Sequence, residues 1–187
     1  ESVDYRIEPT NPQIRTLAQQ LTSGYSTVYE KAKAIYDHLD ATLTYKTLST
    51  GQPPKSCTET LNSGEGDCDD QSILFISLCR AVGIPAWLVG GVLYDYLTGT
   101  WVGHGWAQVL IPLDDGTYVT PTVDVVNDDF CFRDPNRLTD WVDDGEDGAL
   151  EDYYSSWSYV YYGDGAQVLI SDEYVAHEYK AEEGSMS

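Results

Sequence analysis

The sequence predicts an α+β domain in which N-terminal helices, the last of them a central cysteine-bearing helix, pack on an antiparallel β-sheet. Three observations carry that expectation. Apolar residues recur at helical spacing as far as Val82, Gly83-Ile84-Pro85 breaks the pattern, and short segments of strand character separated by turn signals follow from Ala86 onward. No internal repeat, low-complexity tract or Gly/Pro/Ser linker divides the 187 residues, so residues 1–187 read as one domain with enough chain to bury a sizeable core.

The elements follow in order. Asn11-Pro12 supplies an N-cap and a proline at the first helical position, opening a helix to about Leu21. Thr27 and Glu30 form a capping box for a second helix, about Val28 to Leu43, with Ala32, Ile35, Tyr36 and Leu39 on one face. The polar stretch Thr47 to Gly66 reads as a loop. Cys68 then starts a third helix whose run from Ile73 to Val82 is apolar almost all round, which marks it as the central one. Ala86 to Tyr94 and Gly103 to Ile111 read as strands around a loop at Leu97 to Thr100. After the turn signal Leu113-Asp114-Asp115-Gly116, Thr117 to Val126 can return beside its predecessor. A late hairpin is expected from Ser158 to Tyr162 and Ala166 to Ile170 around Gly163-Asp164-Gly165.

Charge narrows the function classes. With 31 acidic against 10 basic side chains the formal charge is −21, which repels a phosphate backbone, so nucleic acid is excluded as a partner, and an anionic membrane surface is disfavoured. No apolar run is long enough to span a membrane. The acid excess fits a secreted or cell-surface chain, the preferred expectation, and also fits adaptation to high salt. Cys57, Cys68, Cys79 and Cys131 show no zinc-ligand spacing. Cys79 reads as a small core residue, and Cys57 and Cys131, both in loop-like sequence, could pair in an oxidising compartment.

Cys68 is the candidate for chemistry. Free amides and aligned peptide dipoles at a helix N-terminus favour a thiolate, yet Asp67, Asp69 and Asp70 oppose it, so a cation is needed to offset them. A histidine is the usual device. Of the three present, His38 lies in the second helix and His177 near the polar C-terminal end, whereas His104 opens a strand. On that strand His104, Trp106, Gln108 and Leu110 share one face, with Gly105, Ala107, Val109 and Ile111 on the other. A turn centred near Asp114 puts His104 roughly across from Asp124, whose carboxylate could accept the second imidazole proton; a one-residue slip would swap faces. The three aspartates around Cys68 also offer oxygen ligands for calcium, which would neutralise their effect on the thiol; otherwise no cofactor is needed.

Gly66-Asp67-Cys68-Asp69-Asp70, the helix end Leu78-Cys79-Arg80-Ala81-Val82-Gly83-Ile84-Pro85-Ala86 and His104-Gly105-Trp106-Ala107-Gln108-Val109 together resemble the transglutaminase-like superfamily of papain-like cysteine enzymes, over about Leu17 to Asp124. The resemblance implies a papain-like fold and a Cys-His-Asp site acting on amide or thioester carbonyls, as protease, amidase or acyl transferase. The third element departs from the pattern. Where relatives have an aromatic residue and then Asp-Pro-Thr, this chain has Tyr118-Val119-Thr120-Pro121-Thr122-Val123-Asp124, so Thr120 or Thr122 falls at the carboxylate position. A threonine orients an imidazole but supplies no charge, so either Asp124 takes over or the site is weakened. The site expected is Cys68 as nucleophile, His104 as base and acid, and Asp124 as orienting carboxylate, with a protein or peptide as substrate. The rival expectation is a binding module for protein or glycan that has kept the fold and lost the chemistry. Residues 125–187 read as an acidic, aromatic-rich extension completing the sheet; in it Tyr153 to Tyr162 is a covering strand or a binding platform. Asp128, Asp129, Asp143, Asp144, Glu146 and Asp147 form acidic loops suited to a basic peptide.

Overall fold

A computed structural model describes residues 6–47 and 53–143. The late hairpin, the Tyr153 to Tyr162 segment, His177 and the acidic positions 144, 146 and 147 lie outside the described residues.

Helix α1 (Pro12–Thr22) starts where expected, with the Asn11 side chain accepting from the Gln13 amide. Helix α2 (Val28–Thr42) carries the reciprocal Thr27/Glu30 capping box and buries Ala32, Ile35, Tyr36 and Leu39. The expected loop from Thr47 to Gly66 is not all loop. It contains helix α3 (Cys57–Ser63), opened by a Ser56/Glu59 capping box and closed by Gly64 in the left-handed region. It ends in a short parallel pair, β1 (Thr44–Tyr45) with β2 (Glu65–Gly66). Helix α4 (Cys68–Ala81) buries every residue from Asp70 to Cys79, so the helix without a polar face is the core of the molecule. Gly83, at φ 78°, turns the chain out of α4 in a conformation that side-chain-bearing residues seldom adopt, and the Ile84 amide returns to the Cys79 carbonyl.

Strands β3 (Ala86–Asp95) and β4 (Thr100–Val109) form a ten-pair antiparallel hairpin. After the small hairpin β5 (Ile111–Pro112) and β6 (Tyr118–Val119), strand β7 (Thr122–Asp124) pairs with β4 at Ala107–Val123 and Gln108–Thr122. Strands β8 (Asp129–Phe130) and β9 (Arg137–Val142) complete an antiparallel sheet of order β8-β7-β4-β3-β9. Strand alternation then divides the sheet. Leu88, Ala107, Val109 and Val123 join α4 in the main core, while His104, Trp106, Thr122 and Asp124 occupy the other face.

Two expectations about the loops are corrected. Asp129 and Asp143 are not solvated acidic positions: Asp129 pairs with Arg137 at 2.6 Å and the buried Asp143 with Arg80 at 3.2 Å. All four cysteines are free thiols, so the Cys57–Cys131 bridge is absent. Cys57 is buried at the start of α3 with its thiol toward Glu8, whereas Cys131 feels the charge of Lys33 on α2.

Burial raises the Cys57 and Cys131 thiols to about 11. An unfolded thiol ionises near pH 8.5, so between about 8.5 and 11 the folded state holds protons that the unfolded state has released, and stability falls as pH rises. Denaturation midpoints measured at pH 7, 9 and 10 should decline progressively, and more steeply than in the Cys57→Ala variant.

Candidate active site

The N-terminus of α4 is held by a capping box in which Asp67 accepts from the Asp70 amide and Asp70 accepts from the Asp67 amide, both at 3.3 Å. Asp70 is fully buried and also accepts from the Lys55 amide at 2.6 Å, with the Lys55 ammonium 3.9 Å away. Its carboxylate is therefore committed to fastening the preceding loop. Asp67 and Asp69 are the two that face the thiol: their carboxylate oxygens and the Cys68 sulfur lie within 4.8 Å of one another. Calcium takes six to eight oxygens, of which this group supplies two carboxylates, so backbone carbonyls and water would have to furnish the rest.

Strand β4 meets α4 here. A Cβ at Gly105 would collide with Asp69 Oδ1 at 2.1 Å while the Asp69 backbone stayed at ordinary contact, 3.9 Å away, so the missing side chain makes room for the Asp69 carboxylate where strand and helix meet. The approach brings the Gly105 amide onto the Cys68 sulfur, while Asp69 Oδ1 stands 3.9 Å from it. The thiol is pushed well above its ordinary value, first by burial and then by Asp69, with Asp67 and Asp124 adding to the rise and the Gly105 amide opposing it. The conflict visible in the sequence thus falls on the side of the protonated thiol rather than the helix-stabilised thiolate. Gly105→Ala should push the Asp69 carboxylate away from the sulfur, costing on the order of 1 kcal/mol in denaturant unfolding and, by removing a charge that opposes the thiolate, quickening iodoacetamide alkylation of Cys68.

His104, the residue before Gly105, turns to the other face of β4. Its Nε2 lies 2.6 Å from Asp124 Oδ2, and among the described residues Nδ1 takes no hydrogen bond. The β4–β7 register, continued past Ala107–Val123, sets Asp124 across from Trp106, so the carboxylate reaches His104 along the diagonal rather than directly across. Thr120 is exposed, and Thr122 is buried opposite Gln108; neither is the partner of His104.

Asp124 is densely solvated by protein. Its Oδ2 also accepts from the Asn127 side-chain amide at 2.9 Å and from Arg137 Nη2 at 2.7 Å, while Oδ1 accepts from the amides of Val126 and Asn127. Burial opposes its charge, but His104 first, then Asn127 and Arg137, outweigh burial and hold the carboxyl below its usual range. Asp129 accepts from the same Arg137 Nη2, yet it is held above its usual value by burial and by the Asp124 charge. The two carboxylates share one guanidinium, and Asp124, with more donors, keeps the negative charge more firmly. Arg137 is 1% exposed and lies 5.9 Å from the Trp106 ring centre; that ring in turn stacks on His104 at 6.0 Å.

Three residues of this site were not anticipated. Arg137 stands in the alternating segment Arg137-Leu138-Thr139-Asp140-Trp141-Val142, and an arginine at an inward strand position was its only signal. Asn127 follows Asp124 by three residues, the spacing of a side-chain-capped turn. Tyr45, set beside Gly66 by the β1–β2 pair, is near enough to the start of α4 that its phenol is raised, first by partial burial and then by coupling to Cys68, Asp67 and Asp69.

The family's sequence model, described as the transglutaminase-like superfamily, matches residues 15–121, more than half of the chain. The chain belongs to the transglutaminase-like superfamily. The match stops short of Asp124, so the third site position lies beyond it. Among solved structures the fold is similar to that of a candidate cysteine protease from Cytophaga hutchinsonii, at TM-score 0.54 and 21% identity, covering 79% of this chain and 46% of that one. The periplasmic domain of TgpA from Pseudomonas aeruginosa aligns at TM-score 0.45 and 19% identity, covering 62% of this chain and 42% of that chain. In sequence the chain is 28% identical over 156 residues to the uncharacterized protein YebA of Bacillus subtilis, covering 72% of this chain and 20% of that protein. It therefore spans about a fifth of that curated relative. Membership of the superfamily supports a cysteine hydrolase or acyl transferase role at the level of the family, and the helices packed on an antiparallel sheet are its papain-like fold. Among the described residues no helix is long and apolar enough to cross a membrane.

Proposed function

We propose that this chain is a cysteine-dependent hydrolase or acyl transferase acting on amide bonds of proteins or peptides, with Cys68 as nucleophile, His104 as general base and acid, and Asp124 as orienting carboxylate. The observation that carries the reading is a conjunction at two successive residues of β4. The Gly105 amide favours the Cys68 thiolate against the aspartates, and His104 just before it is anchored through Nε2 to Asp124.

In the proposed cycle His104 Nδ1 takes the thiol proton as Sγ bonds to the carbonyl carbon, and the carbonyl oxygen becomes an oxyanion. The imidazolium, its charge balanced by Asp124, returns that proton to the departing amine, leaving a thioester on Cys68. Water, or an amine, then gives its proton to Nδ1 and attacks the thioester carbon, and Sγ leaves, taking that proton back from the imidazolium to restore the thiol as the acyl product is released. Hydrolysis is preferred because no feature of the described residues marks an amine-binding site. Because the resting thiol holds its proton, base assistance by His104 in the attack step is the central requirement, rather than a preformed ion pair. The Cys68 amide is one oxyanion donor.

The proposal is tested by the rate of iodoacetamide alkylation of Cys68 against pH, in the native chain and in His104→Ala. The expected profile is slow at neutral pH and climbs only well above the ordinary thiol value of about 8.5, with slower alkylation at neutral pH in the variant. A thiol indifferent to His104→Ala across the whole range would contradict the assignment and favour a binding module on the same fold.

A further inference from the structure

Arg137 begins β9, at one end of the five-stranded order, and Asp129 begins β8, at the other, yet Arg137 Nη2 lies 2.6 Å from Asp129 Oδ2. Neighbouring strands stand about 4.8 Å apart, so a flat sheet would hold those ends about 19 Å from each other. The sheet therefore curls, and the guanidinium joins its two ends. Register puts Arg137 on the face that carries the site: it stands opposite Leu93, which stands opposite Val102, two residues from His104 on the same side of β4. Gly91 faces His104 across β3 without a side chain. A Cβ there would run into the Leu138 carbonyl and come within 3.0 Å of Trp106 Cη2, so the Trp106 ring takes the space above it, between His104 and Arg137.

The curl delivers a cation to the carboxylate that holds His104. Asp124 Oδ2 meets His104 Nε2 at 2.6 Å, Arg137 Nη2 at 2.7 Å and Asn127 Nδ2 at 2.9 Å, so three donors converge on one oxygen. Of the guanidinium only Nη2 is spent: Nε and Nη1 are buried with no hydrogen-bond partner among the described residues. As a fastener that arrangement is costly, because unpaired buried donors destabilise; as a charge beside Asp124 it is fully used. We propose that Arg137 is a positioning residue for the acyl chemistry, holding Asp124 Oδ2 on His104 Nε2 and offsetting its charge so that the imidazole can act as a base at neutral pH instead of being held as the imidazolium. The inference rests on the reading of His104 as base for Cys68. The charged and titratable groups around the His104–Asp124 pair are Asp129 on β8, Asp134 in the loop before β9, Arg137 on β9, and Asp67, Cys68 and Asp69 at the start of α4. Arg137 is the one cation in that set. Removing it tips the balance toward the imidazolium, and removing Asp129 tips it the other way.

The test is the pH dependence of steady-state turnover of an activated ester by the native chain, Arg137→Met, Arg137→Lys and Asp129→Asn, with circular dichroism to confirm folding. Arg137→Met should lower kcat about 10²-fold with KM nearly unchanged, and move the acid limb of the kcat profile up by about one pH unit. Arg137→Lys keeps the charge and loses the planar fork, so it should return the limb to its native position but recover only part of kcat. Asp129→Asn leaves Arg137 to Asp124 alone and should move the limb to lower pH, a result that does not depend on the folding of Arg137→Met. Unmoved limbs in these variants, with Cys68 still alkylated by iodoacetamide, would overturn the role of Arg137 and leave the nucleophile standing. Equal losses in Arg137→Met and Arg137→Lys with neither limb displaced would reduce Arg137 to a structural tie and overturn it as well. Ester turnover that survives His104→Ala would instead overturn the base assignment beneath the inference.

Discussion

Asp124→Asn is expected to reduce acyl transfer by about 10⁴-fold in kcat, the scale found when a catalytic histidine loses its carboxylate partner. The physical basis is the 2.6 Å contact between His104 Nε2 and Asp124 Oδ2. A carboxylate accepts from Nε2–H, which leaves Nδ1 unprotonated and ready for the thiol proton; an asparagine can present its NH₂ instead and select the opposite tautomer. It also withdraws the charge that balances the imidazolium. Steady-state turnover of an activated ester would show the loss, and a denaturation curve separates it from unfolding. Retention of turnover within about tenfold would make Asp124 dispensable and the family's usual carboxylate position, here occupied by threonine, the one that matters.

The largest stability effect is expected at Arg137. Its Nη2 sits 2.7 Å from Asp124 and 2.6 Å from Asp129, inside the protein. Arg137→Met should cost about 3–5 kcal/mol in urea unfolding at pH 7, because removing the cation strips Asp129 of its partner and leaves it facing the Asp124 carboxylate, which keeps only its His104, Asn127 and backbone donors. The sign with pH follows. In the native chain Asp124 is held below its usual value, so its contribution is present above the unfolded carboxyl range near 3.9 and is lost as pH falls through the lower folded value. Without Arg137 both carboxyls rise, and the variant should become relatively more stable on mild acidification, where one of them takes a proton. Adding Asp129→Asn should restore part of the loss. An Arg137→Met protein as stable as the native chain would reduce the cluster to a surface-like pair.

The sequence carried the helical half of the fold well, because its signals are local. The Asn11-Pro12 and Thr27/Glu30 starts and the all-round apolar pattern of α4 each depend on residues within a few positions. Helix α3 was legible by the same rule, through Ser56 and Glu59, but its polar composition masked it. Cys68, His104 and Asp124 could be named from spacing and strand parity. What spacing could not supply was the diagonal reach of Asp124 or its arginine, since both depend on where β7 stops and where β9 returns along β3. The electrostatic outcome at Cys68 was likewise out of reach. Helix amides and three aspartates oppose each other in the sequence, and only burial and the placement of Asp69 decide which prevails.

The most direct measurement is the release of nitrophenol from p-nitrophenyl acetate, followed with intact-mass detection of acetylated protein. The proposed chemistry predicts a burst stoichiometric with protein, the acetyl group on Cys68, a rate that increases toward alkaline pH, and slow turnover thereafter. It also predicts no burst in Cys68→Ala and a much slower one in His104→Ala at neutral pH. Acetylation spread over lysines, or a burst unaltered by His104→Ala, would contradict it.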